Sequence, residues 1–178
     1  MAPETKRGKI LLHTCCGPCA TACVERLAPD YEVILFFSNS NLAPETEYLK
    51  RLEHARRLAK ILNIELREDV YDHRSWLEHV KGLENEPERG KRCERCFAFS
   101  LARTAAKAVE LGIPAFTTSL SVSRYKSSST IFSQGRAYQG FMAIDFKKNN
   151  GYARSIELSR QYGLYRQNYC GCEFSMRP

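Results

Sequence analysis

Seven of the eight cysteines in this 178-residue chain fall in three tight groups: Cys15-Cys16-Gly-Pro-Cys19, Cys93-Glu-Arg-Cys96 and Cys170-Gly-Cys172. Thiols gathered in this way bind metal or exchange electrons as dithiol and disulfide. Cys93 and Cys96, three apart at the start of a helix, can point the same way. The positive end of the helix dipole there favours thiolates. A CxxC pair joined by a second pair of cysteines makes a four-thiolate site, which suits zinc and iron–sulfur clusters alike. Two features favour iron–sulfur. Adjacent cysteines such as Cys15 and Cys16 fit poorly into the two-knuckle pattern of a zinc ribbon, and the chain has more thiols than one closed tetrahedral site can use. Cys23, four residues beyond Cys19, reads as a small buried helix residue.

The elements that must position these groups alternate. Lys9 to His13 is a short apolar run that reads as a buried strand. A helix follows, with Pro18 in its first turn, and ends near Leu27. Tyr31 to Phe37 is a second strand. Pro44 opens a long helix whose apolar positions, Tyr48, Leu49, Leu52, Ala55, Ala59 and Leu62, recur at three and four. Ile64 to Val70 is a third strand, Ser75 to Lys81 a short helix and Gly82 to Lys91 a polar loop. A helix from about Cys93 to Leu111 stops at Gly112, with Pro114 beyond. Ala115 to Thr118 is a fourth strand. Further on, Ser127 to Thr130 caps a short helix toward Tyr138, Phe141 to Phe146 is a fifth strand, and the tail is mixed. Strand–helix alternation predicts an α/β fold with a parallel sheet covered on both faces. Sites in such sheets form beyond the carboxyl ends of the strands. Cys15 and Cys16 fall there after the first strand, Asn39 and Asn41 after the second, Asp72 after the third, and Ser119 to Ser123 after the fourth.

At 43% hydrophobic and 26% charged, the composition excludes disordered and fibrous classes. No run approaches the ~18 apolar residues of a membrane span. The first ten residues hold no apolar signal core, so a cytoplasmic chain is expected, with thiols serving metal or redox chemistry rather than structural disulfides. The length fits one domain over 1–178, with an α/β core over 1–120 and a basic, tyrosine-rich part over 121–178 packed on it. Of the net charge of +7, +6 lies after residue 120, together with six of the nine tyrosines. Such a surface suits phosphates and stacked bases. Lys91, Arg92, Arg95, Arg124, Lys126, Lys147 and Lys148 are candidate phosphate contacts. Tyr152, Tyr165 and Tyr169 are candidates for stacking on bases or for the core. His13 reads as a packed strand-end histidine.

With these residues located, the chain resembles the QueH type of epoxyqueuosine reductase. The matching pieces are Leu12-His-Thr-Cys-Cys-Gly-Pro-Cys19, Glu47-Tyr48 with Arg51 and Glu53, and Tyr71-Asp72 with Trp76. They continue through Glu86-Pro-Glu-Arg-Gly-Lys-Arg-Cys-Glu-Arg-Cys-Phe97, Thr104-Ala105, Ser119-Leu-Ser-Val-Ser-Arg-Tyr-Lys126 and Leu164-Tyr-Arg-Gln-Asn-Tyr-Cys-Gly-Cys172. They cover nearly the whole chain in order. The segment Asp145 to Gly151 departs from longer members of the family.

The resemblance implies a nucleotide-binding sandwich of the adenine nucleotide α-hydrolase (HUP) type. The implied enzyme reduces epoxyqueuosine to queuosine at the wobble position of tRNA, with a [4Fe-4S] cluster, no cobalamin and an external electron donor. It further implies that Cys15, Cys16, Cys93 and Cys96 hold the cluster. Cys170 and Cys172 would then cycle between dithiol and disulfide, or bind a second iron with Cys19 and a carboxylate. Asp72 is the first choice for that carboxylate, with a helix N-cap as its competing role, and Asp145 is the alternative. Two rivals remain. A tRNA-thiolating or adenylating enzyme of the same fold needs a Ser-Gly-Gly-x-Asp-Ser loop after the first strand, where this chain has His13-Thr-Cys-Cys-Gly-Pro-Cys19. A zinc-stabilised RNA-binding module would hold zinc and no sulfide.

Overall fold

A computed structural model describes residues 6–176. Four strands, β1 (Lys9–His13), β2 (Glu32–Phe37), β3 (Glu65–Glu68) and β4 (Ala115–Thr118), form one all-parallel sheet in the order β3-β2-β1-β4. The two central strands are apolar on both faces because both faces are covered. Ile10, Leu12, Val33 and Leu35 pack against α1 (Gly17–Leu27) and the later turns of α2 (Glu45–Leu62). Leu11, Ile34 and Phe36 face the other way, onto α4 (Lys91–Glu110) and α5 (Ser128–Gly135). The edge strand β3 is largely exposed and carries alternating charge, which limits it to Glu65–Glu68, shorter than the run from Ile64 to Val70 suggests. Successive strands run outward from β1 to β3, and β4 then returns to the other side of β1. The crevice between β1 and β4 is therefore the topological switch point, the place where ligands bind in open parallel sheets. No helix among the described residues is long and apolar enough to cross a membrane.

The expected fifth strand over Phe141 to Phe146 does not form. Its pairing is a single bridge, in which Phe116 N–H donates to Gly140 O at 2.9 Å and Met142 N–H donates to Phe116 O at 2.8 Å. Beyond it, side chains take the carbonyls a strand would have used: Thr117 Oγ1 donates to Met142 O (2.8 Å) and Ser121 Oγ to Ile144 O (2.7 Å). The tail, mixed in the sequence, forms α6 (Gly151–Gln161), which packs on α1 and is tied to it by Arg154 on Glu25 at 2.7 and 2.9 Å. This helix has no capping side chain and begins after Asn150 in the left-handed region. A Cβ on Gly151 would lie 1.7 Å from Phe146 O, so only glycine permits that close turn. A short helix, α3 (His73–His79), joins β3 to the loop before α4.

Candidate metal centre

All eight cysteines are free thiols, and six of the seven clustered ones line one recess at the carboxyl ends of the strands, with Cys16 buried behind Cys15 and Cys19. The first group follows β1 directly. Thr14 N–H pairs with Phe36 O at 2.8 Å, and Asn39 Nδ2 donates to Thr14 O at 2.9 Å, so β2 holds the turn. Across the crevice, Cys15 N–H donates to Ser119 Oγ (3.0 Å) while that hydroxyl donates to Cys15 Sγ (3.2 Å). Cys16 is the N-cap of α1, with its sulfur 3.5 Å from Cys19 N, and Pro18 in the first turn brings Cys19 back over it. The sulfurs of Cys15, Cys16 and Cys19 all lie within 4.8 Å of one another, a ligand group for a metal ion.

The three thiols share one favoured anion. Donation from the Cys15 and Cys19 thiols, from Cys19 N–H and from Gln167 Nε2 (3.3 Å) holds Cys16 well below the usual thiol range. Donating to that thiolate pushes Cys15 up to about 12, and hydrogen bonds to Cys15 and then to Cys16, with burial, raise Cys19. Cys23 is fully buried against the sheet, as its spacing suggested.

The second group sits on the first turn of α4. Arg89 N–H donates to Cys93 Sγ at 3.2 Å, and burial pushes both the Cys93 and Cys96 thiols up. Cys93, Cys96, Cys170 and Cys172 together line one cavity, and Cys96 and Cys170 also line the adjoining cavity that holds Cys15 and Cys19. Sequence distance hid this arrangement. The residue that creates it is Arg51 of α2, whose side chain is 2% exposed. It donates to Glu47 Oε1 (2.7 Å), Cys170 O (2.8 Å) and Tyr169 O (3.2 Å), which anchors the last cysteine segment to the sheet core. Gly171 completes the turn at φ 144°, where a Cβ would meet Leu42 Cδ2 at 2.3 Å. Removing Arg51 leaves Glu47 and two carbonyls buried without their partner. Arg51→Ala is expected to lower unfolding free energy by about 3–5 kcal/mol, measured by urea denaturation.

Other expected residues are placed differently. Asp72 accepts from Ser75 N–H (3.0 Å) and Ser75 Oγ (2.6 Å), capping α3, and lines neither cavity. Asp145 accepts from Lys147 N–H and pairs with the Lys147 ammonium at 3.8 Å. Lys147 uses its ammonium within the chain: Nζ donates to Ser121 O, Lys126 O and Ser128 Oγ, which ties its own loop to the segment leading into α5. Arg92 is buried and donates to the carbonyls of Leu83, Glu84 and Glu86, holding the loop before α4. Tyr165 donates to Glu47, and Tyr169 to Ala43 O, so both serve the Arg51 anchor. Lys126 lies inside the recess. Burial would lower its pKa, but Cys170, Cys15, Cys19 and Cys16 more than offset this and keep it an ammonium.

His13 also lines the recess, as part of its floor. Burial lowers its pKa to about 4, so it is neutral at physiological pH. With Nε2–H donating to Ser38 O (3.0 Å), Nδ1 accepts from Thr118 Oγ1 (2.8 Å), and the ring pins the ends of β1, β2 and β4. Ser119, expected at the site from its place after the fourth strand, contacts Cys15 directly, whereas Gln167, which donates to Cys16 Sγ, lies within a quoted motif but no spacing rule marks it.

The sequence profile described as "Epoxyqueuosine reductase QueH" matches residues 10–178. The chain is 39% identical over 185 residues to the epoxyqueuosine reductase QueH of Streptococcus pyogenes serotype M1, covering 98% of this chain and 72% of that protein. To the protein of that name from Acinetobacter baylyi it is 40% identical, covering 95% and 81%. To that of Thermotoga maritima it is 34% identical, covering 95% and 91%. The match runs from β1 through the last cysteine pair and so includes every element that builds the recess. On that extent of likeness, the chain belongs to the QueH family of epoxyqueuosine reductases.

Proposed function

We propose that this chain reduces the epoxide of epoxyqueuosine in the anticodon arm of tRNA to the alkene of queuosine, within the cytoplasm and with electrons from an external donor. The observation that carries this reading is the convergence of six cysteines from three distant segments on one recess at the switch point of the sheet, with Cys16 buried beside Cys15 and Cys19. Opening the epoxide and releasing its oxygen as water takes two electrons and two protons. A Cys170–Cys172 dithiol passing to its disulfide gives up that number of each.

The recess suits a sulfur-rich anionic group. Trp76 is fully buried on this wall, and its Nε1–H has no hydrogen-bond partner although it lies against Cys96 and favours that thiolate. An indole N–H left over among thiols fits a sulfur acceptor. Cys15, Cys16, Cys93 and Cys96 would hold a [4Fe-4S] cluster, which when bound supplies electrons one at a time. Lys126 would hold negative charge on the sulfurs or on an oxygen at the same place. A second reading gives Cys170 and Cys172, with Cys19, to a mononuclear iron. Cys19 and Cys170 line the same cavity, which supports it, with Asp72 or Asp145 as the carboxylate only after release from Ser75 or Lys147. The strand order, with its switch point beside β1, supports assigning the sheet to the HUP type.

The test is anaerobic. Purified protein with iron and sulfide in a four-to-four ratio, incubated with tRNA bearing epoxyqueuosine and a strong reductant, is expected to yield queuosine on nucleoside digestion and mass analysis. Zinc without sulfide and unchanged epoxyqueuosine would overturn the reading in favour of a zinc-stabilised RNA-binding module.

A further inference from the structure

A base stacked inside the anticodon loop cannot present its substituent to these cysteines. Cys16 is 1% and Cys172 7% exposed, below the rim of the recess. The substrate nucleotide must leave its stack, which costs a few kcal/mol and exposes both faces of its base. A protein offsets that cost with an aromatic ring at the mouth of the site.

The structure narrows which ring this is. Six tyrosines lie after residue 120. Tyr138 and Tyr162 pack against the two core clusters, and Tyr165 and Tyr169 are bound to Glu47 and Ala43. Only Tyr125 and Tyr152 of the six line the recess, and Tyr125 is 57% exposed at its edge. The two share one guanidinium, with Arg124 Cζ 4.9 Å from the Tyr125 ring centre and 5.1 Å from that of Tyr152. Arg124 Nη2 also donates to Tyr125 Oη at 2.7 Å. From across the mouth, Arg89 donates to the carbonyls of Tyr125 (2.7 Å) and Arg124 (3.4 Å), tying this segment to the loop that leads into Cys93. An exposed ring, held by Arg124 at its face and by Arg89 at its backbone, thus lies at the edge of the recess that Lys126 and the cysteines line.

We propose that Tyr125 is the platform on which the unstacked wobble base lies, that Arg124 neutralises the adjacent phosphate, and that Tyr152 holds Arg124 in place. This rests on the reading of epoxyqueuosine-bearing tRNA as substrate. Tyr125 contributes a π-face and no charge, so it acts on affinity without counterion release, whereas Arg124 acts through it. The two roles are therefore separable.

The experiment measures anaerobic binding of the iron-loaded protein to an anticodon stem-loop RNA carrying epoxyqueuosine, by fluorescence anisotropy across a series of salt concentrations. Tyr125→Ala is expected to weaken binding by about tenfold or more with the slope against log salt unchanged. Tyr125→Phe restores the affinity and Tyr125→Leu does not. Arg124→Gln lowers the salt slope by about 1. Each variant should keep the visible absorption and iron content of the parent, which shows that the recess is intact. Wild-type affinity in Tyr125→Ala, or failure of Phe to rescue it, overturns the platform. If the unaltered protein does not bind the RNA, the substrate reading fails, and the platform fails with it.

Discussion

Alanine at position 93 is expected to strip the protein of its bound iron and visible absorption, and to lower turnover by ~10³ or more, the scale seen when one member of a catalytic unit is removed. Cys93 lies on the first turn of α4, where the dipole supports a thiolate and Arg89 N–H already donates to its sulfur. Its thiol is raised by burial, as is that of Cys96, so without a metal both rest as neutral thiols. A cation that takes up their sulfurs displaces those protons, and four such ligands act together. The measurement is iron and sulfide analysis beside the absorption spectrum of anaerobically purified Cys93→Ala, with circular dichroism to show that the fold persists. A full cluster in a folded variant would exclude Cys93 as a ligand.

Cys170→Ser separates ligation from electron transfer. If Cys15, Cys16, Cys93 and Cys96 hold the cluster, this variant keeps its iron and loses turnover by ~10³ or more, because a hydroxyl cannot form the disulfide. The substitution is nearly isosteric, and the Arg51 contact is to the backbone carbonyl of Cys170, so the segment stays anchored. The rival outcome has its own structural basis. Cys93, Cys96, Cys170 and Cys172 line one cavity, and a set drawn from those four would lose its iron on this substitution. Parallel assays of Cys16→Ala decide the matter: the variant that loses iron names the ligand pair that completes the site with Cys93 and Cys96.

Much of this was legible from the chain. Strands β1 and β2 are short apolar runs, β4 follows the helix stop at Gly112 and Pro114, and alternation with helices leaves few arrangements besides a parallel sheet. The thiols announced themselves because clustered cysteines have few uses other than metal and redox chemistry. The run from Phe141 to Phe146 misled because apolar patterning reports burial and not backbone pairing. Hydroxyls of Thr117 and Ser121, some 25 residues away, took its carbonyls. Helix α6 was obscured because its start depends on close approach to Phe146 O rather than on a capping residue.

Charge was the least legible property. Lys147 and Arg92 look like free surface cations in the sequence, yet each spends its donors on backbone carbonyls of loops it holds in place. Arg124 and Lys126 stand two apart, one at the rim on tyrosine rings and one inside among cysteines. Residue types and spacing by themselves determined the chemistry available to this protein, because thiol, imidazole and carboxyl groups carry their reactivity wherever they stand. Only the tertiary structure decided which groups share the recess, which are consumed as hydrogen-bond partners, and which ring faces the solvent at its mouth. Those outcomes depend on burial and on partners as much as 151 residues apart, as Cys16 and Gln167 are, and no local pattern encodes them.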